Sequence, residues 1–210
     1  MKYIPIFLDL SKIKIVIFGG GKVALRKLDY LEGADITVVS EKFMEDFLKR
    51  DVKMISKKIE SKEDINEYIK DADLVIIATS DKNINSLIMK ECEEKRKIFN
   101  LVDDKKSKAI FPAYHNENGI IMAISTSGKA PSLATFIRDR LSPSLKEYSK
   151  ALDLIERIRN SLDSHDEEKR KKFFRSLFNE KIFWDMVKED NFIGAYEFAI
   201  KLWREKYVPD

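Results

Sequence analysis

Small residues near the start of the chain have the spacing of a phosphate-binding turn. Gly19, Gly21 and Ala24 follow an apolar run and open a helical segment. In such a turn the first glycine permits a tight bend, the second lets the backbone approach phosphate oxygens, and the third small residue lets the helix pack closely on the strand. The helix N-terminus offers free N–H groups and a positive dipole to an anion. The residues expected to contact a dinucleotide are Gly19, Gly20, Gly21, Lys22 and Val23.

An acidic residue lies where a dinucleotide-binding turn requires one. Val39-Ser40-Glu41 ends the next apolar run, roughly 20 residues after the turn. Glu41 is expected to accept a hydrogen bond from the adenosine ribose, which favours NAD, whereas the adjacent Lys42 favours the 2′-phosphate of NADP. We therefore expect NAD, with NADP as the alternative. Without this context the glycine pattern is weak, because glycine turns also join strands and helices for structural reasons alone.

Thr79 is a further candidate for the same crevice. It stands in Ala78-Thr-Ser80, at the carboxyl end of the fourth apolar run. The carboxyl ends of parallel strands meet at one edge of a sheet, where such folds bind their ligands. The alternative interpretation is an ordinary strand-to-helix turn with no cofactor contact.

Alternating short β-branched runs and helical segments must position these residues. From Ile13 to about Leu101 this alternation predicts a parallel sheet covered by crossover helices. Gly33 is expected to end the first helix, because a residue without Cβ readily adopts the left-handed conformation. The predicted strands are Ile13–Phe18, Ile36–Val39, Met54–Lys57, Leu74–Ala78 and Ile98–Leu101. The predicted helices lie near Lys22–Glu32, Asp64–Lys70 and Asn83–Lys97.

The pattern changes after Asp103. Two further strands, Phe111–Tyr114 and Gly119–Ser125, are predicted to form a hairpin around a turn at residues 115–118. A loop, the helix Leu133–Leu141 and a helical tail from Pro143 to Tyr207 follow. The predicted fold class is α/β: a Rossmann domain with a parallel sheet, then a small α+β region and a helical C-terminal domain. The expected boundaries are 1–110, 111–145 and 146–210.

The charge balance and the cysteine count indicate which binding partners and which cellular compartment to expect for this protein. The 39 basic and 36 acidic residues give a formal net charge of +3, which does not favour a nucleic-acid binder. Cys92 is the single cysteine, so no internal disulfide is possible and a reducing cytoplasm is the expected location. No apolar run approaches the roughly 18 residues of a membrane span, and we expect neither a membrane nor an export signal.

Several segments together resemble one enzyme family. They are Tyr3–Phe7, Gly19–Ala24 with Arg26-Lys27, Ala78-Thr79, Phe99–Asp103, Phe111–Ala113 and Ser125–Pro131. Their order resembles that of the precorrin-2 dehydrogenase and sirohydrochlorin ferrochelatase family, the N-terminal region of siroheme synthase. The resemblance implies a Rossmann domain, a dimerisation region at 111–145, a helical domain and a homodimer. It also implies NAD-dependent oxidation of precorrin-2 to sirohydrochlorin, and in some members insertion of ferrous iron.

The resemblance places the catalytic carboxylate on Asp103. Asp103 follows the fifth predicted strand, at the ligand-binding edge of a doubly wound sheet. A carboxylate there can accept a proton as hydride leaves the macrocycle, or help to deprotonate pyrrole nitrogens before metal entry. The alternative is that Asp103 and Asp104 simply open a turn, where aspartate is common.

The resemblance also implies a substrate loop at residues 125–129. Thr126 and Ser127 depart from the Ser-Ser-Gly-Gly sequence of some relatives, which leaves the shape of the loop open. The substrate-binding candidates are Ser125, Thr126, Ser127, Gly128 and Lys129. A carboxylate-rich macrocycle needs cations at its rim. The candidates are Lys105, Lys106, Lys108, Lys129, Arg138 and Arg140, although each is also an ordinary surface residue.

The hairpin residues and the histidines support weaker hypotheses. Tyr114 and Met122 are candidates for facing a partner or the macrocycle, with core or interface packing as the alternative. His115 and His165 lack acidic or cysteine neighbours at ligand spacing. We therefore expect no permanent metal, and iron would be a transient substrate.

Two other functional classes fit parts of the sequence. A Rossmann module that senses nucleotide and signals through its helical tail has no need of the hairpin and the loop at residues 125–131. A dehydrogenase of small hydroxy acids usually needs a histidine or lysine acid–base residue, which this histidine-poor chain does not favour.

Overall fold

The computed structural model describes residues 3–102, 104, 106–163 and 166–208. The chain forms two compact units, Met1–Phe111 and Pro112–Asp210. The additional boundary expected at residue 145 stays a prediction. Asp103, Lys105 and His165 lie outside the described residues.

The first unit contains a five-stranded parallel sheet in the order β3-β2-β1-β4-β5. The chain order reverses between β1 and β4, and the crevice beyond their carboxyl ends is where such sheets bind ligands. The strands are β1 Lys14–Phe18, β2 Asp35–Ser40, β3 Lys53–Ser56, β4 Leu74–Ile77 and β5 Ile98–Leu101. The helices are α1 Lys22–Leu28, α2 Lys62–Ile69 and α3 Lys82–Glu94, and a 3-10 helix spans Glu45–Lys49.

Apolar side chains cover both faces of this sheet. In β1, Ile15 and Ile17 pack on the side of α1, and Val16 and Phe18 pack on the side of α2 and α3. A strand buried on both faces is apolar without alternation, which is why these runs predicted a parallel sheet. Cys92 of α3 belongs to the second layer, and burial raises the pKa of its thiol to about 12.

The first helix is shorter than expected. It ends at Leu28 and not near Glu32. Tight turns follow, in which the N–H of Leu31 donates to the Leu28 carbonyl and the N–H of Ala34 donates to the Leu31 carbonyl. Gly33 has φ +87°, so it adopts the expected left-handed conformation in the loop that enters β2 and does not cap the helix.

The second unit begins with a hairpin, β6 Ala113–Glu117 and β7 Ile120–Ile124. The expected turn at residues 115–118 is wrong, because His115 pairs with Met122 inside the ladder. The turn lies at Asn118 and Gly119, whose φ values are +48° and +95°. Two successive positive φ angles are typical of a two-residue hairpin turn, for which Asn-Gly is the strongest local signal.

Helices complete the second unit. The first runs from Pro131 to Ser149 and passes through Pro143, beyond the expected end at Leu141. Pro143 leaves the carbonyl of exposed Asp139 without an intrahelical donor, and water can solvate that carbonyl. The helices are α4 Pro131–Ser149, α5 Leu152–Asn160, α6 Glu167–Leu177, α7 Lys181–Lys188 and α8 Phe192–Tyr207.

Helices α5 to α8 enclose an aromatic core. Phe173, Phe183 and Trp203 are almost completely buried, and Ala195 and Ala199 let α8 approach its neighbours closely. No helix within the described ranges is both long and apolar enough to cross a membrane.

Candidate functional site

Gly19 makes the tight bend after β1. Its φ is +120°, and a Cβ at this position would lie 2.4 Å from the carbonyl oxygen of Ala78. The N–H of Gly19 donates to the Val39 carbonyl at 2.9 Å. The turn therefore passes between the ends of β2 and β4, and only glycine fits there.

Gly21 faces open space at the start of α1. A Cβ built on it would meet no described atom within 4 Å, and Gly21 has no side chain to cap the first turn of the helix. Ala24, one turn further, is completely buried against the sheet. The tight bend at Gly19 and the close packing of Ala24 match two of the predicted tasks. The approach of Gly21 to a pyrophosphate stays a prediction.

Gly20 packs against protein on the side where a Cβ would lie. A Cβ on Gly20 would lie 2.2 Å from the carbonyl oxygen of Lys42 and 3.0 Å from Ser40 Oγ. The Gly20 carbonyl accepts a hydrogen bond from Met44 N–H at 3.0 Å. Gly20 therefore joins the glycine turn to the segment after β2, a role that the motif did not predict.

Glu41 and Lys42 lie exposed at the carboxyl end of β2. Their backbone is held in place: Ser40 Oγ donates to the Lys42 carbonyl at 2.7 Å, and Ser56 Oγ donates to the Glu41 carbonyl at 3.3 Å. A hydrogen bond to Glu60 raises the pKa of Lys58, and the charge of Glu41 adds to this rise. This edge therefore carries the carboxylate of Glu41, with Lys42 next to it in the chain and the Lys58–Glu60 ion pair close enough to interact with its charge.

Thr79 forms a reciprocal pair with a helix residue. Its hydroxyl donates to Asn85 Oδ1 at 2.6 Å, and Asn85 Nδ2 donates to the Thr79 carbonyl at 3.0 Å. The N–H of Asp81 also donates to the Thr79 hydroxyl. These bonds fix the turn from β4 to α3, so the hydroxyl has a structural partner at the same edge as the glycine turn.

After β5, Ser107 bonds to the backbone of Leu101 and lies close to that of Asp104. Ser107 Oγ accepts from the Leu101 N–H and donates to the Leu101 carbonyl, both at 2.8 Å, and lies 3.1 Å from the Asp104 carbonyl. Asn100 Nδ2 donates to the Ala109 carbonyl at 2.9 Å. Both side chains are buried. They hold the chain on either side of the position of Asp103.

Sequence reasoning did not single out Ser107 or the role of Lys27. The ammonium group of Lys27 lies 4.2 Å from the ring centroid of Phe111, and Tyr30 packs edge-on against the same ring at 5.6 Å. A cation over an aromatic face is attracted by the ring quadrupole. Arg26-Lys27 stood only among the resemblance motifs, and the contact depends on a residue far along the chain.

Residues 125–129 of the second unit form a loop with its own internal hydrogen bonds. Ser125 Oγ accepts from Ser127 N–H at 3.1 Å, and Thr126 Oγ1 accepts from Ala130 N–H at 3.0 Å. Ser127 and Gly128 have φ values of +54° and +78°. Each hydroxyl uses a lone pair in these bonds, so its own O–H can point outward to an acceptor.

Some of the lysine and arginine side chains proposed for the macrocycle rim have partners within the protein, and others are exposed. Lys108 donates to the Lys97 carbonyl at 3.3 Å and lies over Phe99, and Arg138 pairs with Asp139 through Nε and Nη2. Lys106, Lys129 and Arg140 are exposed. Lys106 and Lys108 belong to the first unit and the other described candidates to the second.

The hairpin places His115 beside a carboxylate. His115 Nε2 lies 3.1 Å from Glu117 Oε2, two residues along β6 on the same face. Tyr114 and Met122 are half-buried. The described residues contain no group of three histidine, cysteine, aspartate or glutamate side chains that could hold a metal ion.

Comparisons with known proteins agree with this geometry. A family model described as putative NAD(P)-binding matches residues 6–113. The siroheme synthase of Blochmanniella pennsylvanica is 34% identical over 189 residues, which are 85% of this chain and 38% of that protein. The siroheme synthase of Actinobacillus pleuropneumoniae is 32% identical over 193 residues, which are 87% of this chain and 39% of that protein. These relatives confirm the resemblance that the motifs indicate.

A solved structure shares the fold. The precorrin-2 dehydrogenase SirC is 21% identical, with a TM-score of 0.73, and the match covers 93% of this chain and all of that one. This likeness confirms the predicted fold class. The chain spans about two fifths of the length of the curated relatives it matches.

Proposed function

Because the chain belongs to the family of putative NAD(P)-binding proteins, we propose that it is an NAD-dependent dehydrogenase that oxidises precorrin-2 to sirohydrochlorin. The observation that carries the proposal is the open space before Gly21, at the edge of the sheet where β2, β4 and β5 also end. The names of the relatives supply the substrate: siroheme synthases by sequence, and a precorrin-2 dehydrogenase by fold. The nucleotide-sensing alternative gains no support from them.

The oxidation removes a hydride and a proton from the macrocycle. NAD held at the glycine turn would supply the hydride acceptor. A macrocycle C–H bond breaks, a new double bond forms, and a proton leaves the macrocycle. In the proposal Asp103 accepts that proton. Ser107 and Asn100 support this role, because they bond the backbone of Leu101 and Ala109, before and after Asp103 in the chain, and a general base must be positioned to act efficiently.

The remaining residues of the first unit bind and orient the cofactor. The backbone at Gly21, Lys22 and Val23 holds the pyrophosphate, and Glu41 accepts from the ribose 2′-hydroxyl. Glu41 favours NAD over NADP because a carboxylate repels a 2′-phosphate. The adjacent Lys42 reduces that repulsion, so the preference is one of degree.

Residues 125–129 are proposed to bind substrate carboxylates. The hydroxyls of Ser125 and Thr126 have O–H groups left to donate, and the Lys129 ammonium group is exposed. Charge-assisted hydrogen bonds to carboxylates are stronger than neutral ones. Iron insertion into the product stays a prediction of the resemblance.

The proposed working form is a cytoplasmic homodimer. Apolar side chains stand exposed on the hairpin and α4: Ile121 is 47% exposed, Leu133 49% and Phe136 65%. Burying such side chains is the usual driving force of subunit association. Light scattering on the purified chain measures the mass, and a monomer at micromolar concentration would contradict this part of the proposal.

A spectroscopic assay tests the activity. Precorrin-2 and NAD are supplied anaerobically, NADH formation and the macrocycle spectrum are followed, and ferrous iron is added after oxidation is complete. Absence of any NAD-dependent change overturns the dehydrogenase, and the second stage tests iron insertion separately.

Asp103→Asn tests the catalytic residue. We expect turnover to fall by about 100-fold or more, because the amide cannot accept the proton, while NAD binding is unchanged. Asp104→Asn is the matched control: Asp104 accepts a hydrogen bond from Lys106 N–H at 2.8 Å, and the amide oxygen of asparagine can still accept it, so turnover should change only slightly. Equal turnover in Asp103→Asn and the parent protein would make Asp103 structural.

A further inference from the structure

We infer that Gly20 and Ser40 are positioning residues that set the choice between NAD and NADP, because they hold the turn at residues 41–44. This inference rests on the cofactor site proposed above. It gives Gly20 a task different from that of its neighbour Gly21, although both stand in one run of glycines.

Space is what requires glycine at position 20. Its φ lies outside the left-handed region, so another residue could adopt its backbone conformation. A Cβ, however, would stand 2.2 Å from the Lys42 carbonyl oxygen and 3.0 Å from a ring carbon of Phe43. The neighbouring backbone would have to move by more than an ångström to reach ordinary contact distance. A side chain at position 20 therefore displaces the segment that carries Glu41 and Lys42.

Hydrogen bonds hold the same segment from three directions. The N–H of Met44 donates to the Gly20 carbonyl at 3.0 Å, and Ser40 Oγ donates to the Lys42 carbonyl at 2.7 Å. Ser56 Oγ, at the end of β3, donates to the Glu41 carbonyl at 3.3 Å. The turn at residues 41–44 therefore has little freedom to move, and the directions of the Glu41 and Lys42 side chains are fixed with it.

The position of this turn matters because its two exposed residues have opposite charges. Glu41 suits a ribose 2′-hydroxyl and Lys42 suits a 2′-phosphate. Side chains of successive residues leave the backbone in different directions, so a shift of the turn changes which of the two meets the ribose. Cofactor choice thus depends on Gly20 and Ser40 as well as on Glu41.

The test compares dissociation constants for NADH and NADPH, measured by their fluorescence, in variants at adjacent glycines. Gly20→Ala is expected to change the ratio of the two constants by about tenfold, which corresponds to about 1.4 kcal/mol. Gly21→Ala is the matched control. Its Cβ meets no described atom, so it should obstruct the pyrophosphate that both cofactors share and weaken both equally.

Ser40 provides a second, milder variant. Ser40→Ala removes the hydroxyl that fixes the Lys42 carbonyl and should shift the ratio in the same direction, whereas Ser40→Thr retains a hydroxyl and should restore it. If Gly20→Ala does not fold, this pair decides the question. Melting of the cofactor-free variants reports any general loss of stability.

The outcomes separate the inference from the proposed function. An unchanged ratio in both Gly20→Ala and Ser40→Ala, with clear binding by the parent chain, overturns the inference alone. A parent chain that binds neither cofactor overturns the proposed function.

Discussion

Two glycine-containing loops of this chain join a strand to a helix, but they are held by different means. The turn Gly19–Gly21 leads from β1 to α1 and is confined by backbone from Ala78 and Lys42. The loop at residues 125–129 leads from β7 to α4, and hydroxyls within the loop bond its own backbone. The first loop is shaped by distant segments and the second by its own sequence.

The difference shows that glycine is required for two physical reasons. At Gly19 a positive φ coincides with a steric conflict, whereas at Gly128 the φ is positive but a Cβ would meet no described atom. A side chain at position 128 would therefore cost only the strain of a positive φ. The first loop should therefore be far less tolerant of substitution than the second.

The largest expected effect is that of Gly19→Ala. Strain and the conflict with the Ala78 carbonyl should together reduce the free energy of unfolding of the first unit by about 3 kcal/mol or more. Gly128→Ala, with strain alone, should cost about 1 kcal/mol. Urea unfolding followed by far-UV circular dichroism measures both. Similar losses in the two variants would contradict the distinction.

A smaller effect is expected from Thr126→Val, which keeps the shape of the side chain and removes the hydroxyl. The N–H of Ala130, where α4 begins, loses its acceptor, so the second unit should lose about 1 kcal/mol of stability. Both tryptophans, Trp184 and Trp203, belong to this unit, so their fluorescence reports its unfolding. An unchanged midpoint would show that the loop is not held by its own hydroxyls.

The smallest effect, and of opposite sign, is expected from Ser127→Gly. Ser127 has a φ of +54°, and glycine relieves that strain at the cost of greater chain entropy in the unfolded state. The second unit should gain about 0.5 kcal/mol. Tryptophan fluorescence during urea unfolding measures this gain. A loss of stability would mean that the Ser127 side chain makes a contact worth more than the strain.

The sheet of the first unit was predictable because its signals are local. β1 and β4 are nearly continuous apolar runs, and the predicted tasks of Gly19 and Ala24, the tight bend and the close packing on the sheet, are seen in the structure. In the hairpin, the expected turn was wrong because a polar run at residues 115–118 was preferred to the Asn118-Gly119 signal. Pro143 suggested the end of a helix. The helix continues because the carbonyl that loses its donor belongs to Asp139, which is exposed to water.

The unpredicted parts depend on contacts between distant segments. The role of Gly20 depends on the close approach of Lys42, which the sequence does not show. At the end of β5, Ser107 bonds the N–H and the carbonyl of Leu101, as a neighbouring strand would. Neither role has a sequence pattern. The roles of Asp103 and of residues 125–129 stay predictions.

Chemical labelling of the single cysteine, Cys92, can measure local opening of the folded chain. Cys92 lies fully buried in α3 with a thiol that remains protonated at neutral pH, so thiol reagents cannot react with it while the layer between α3 and the sheet is closed. The labelling rate therefore measures how often that layer opens, without any engineered probe. A cofactor that binds only the closed form should slow this labelling in proportion to its occupancy.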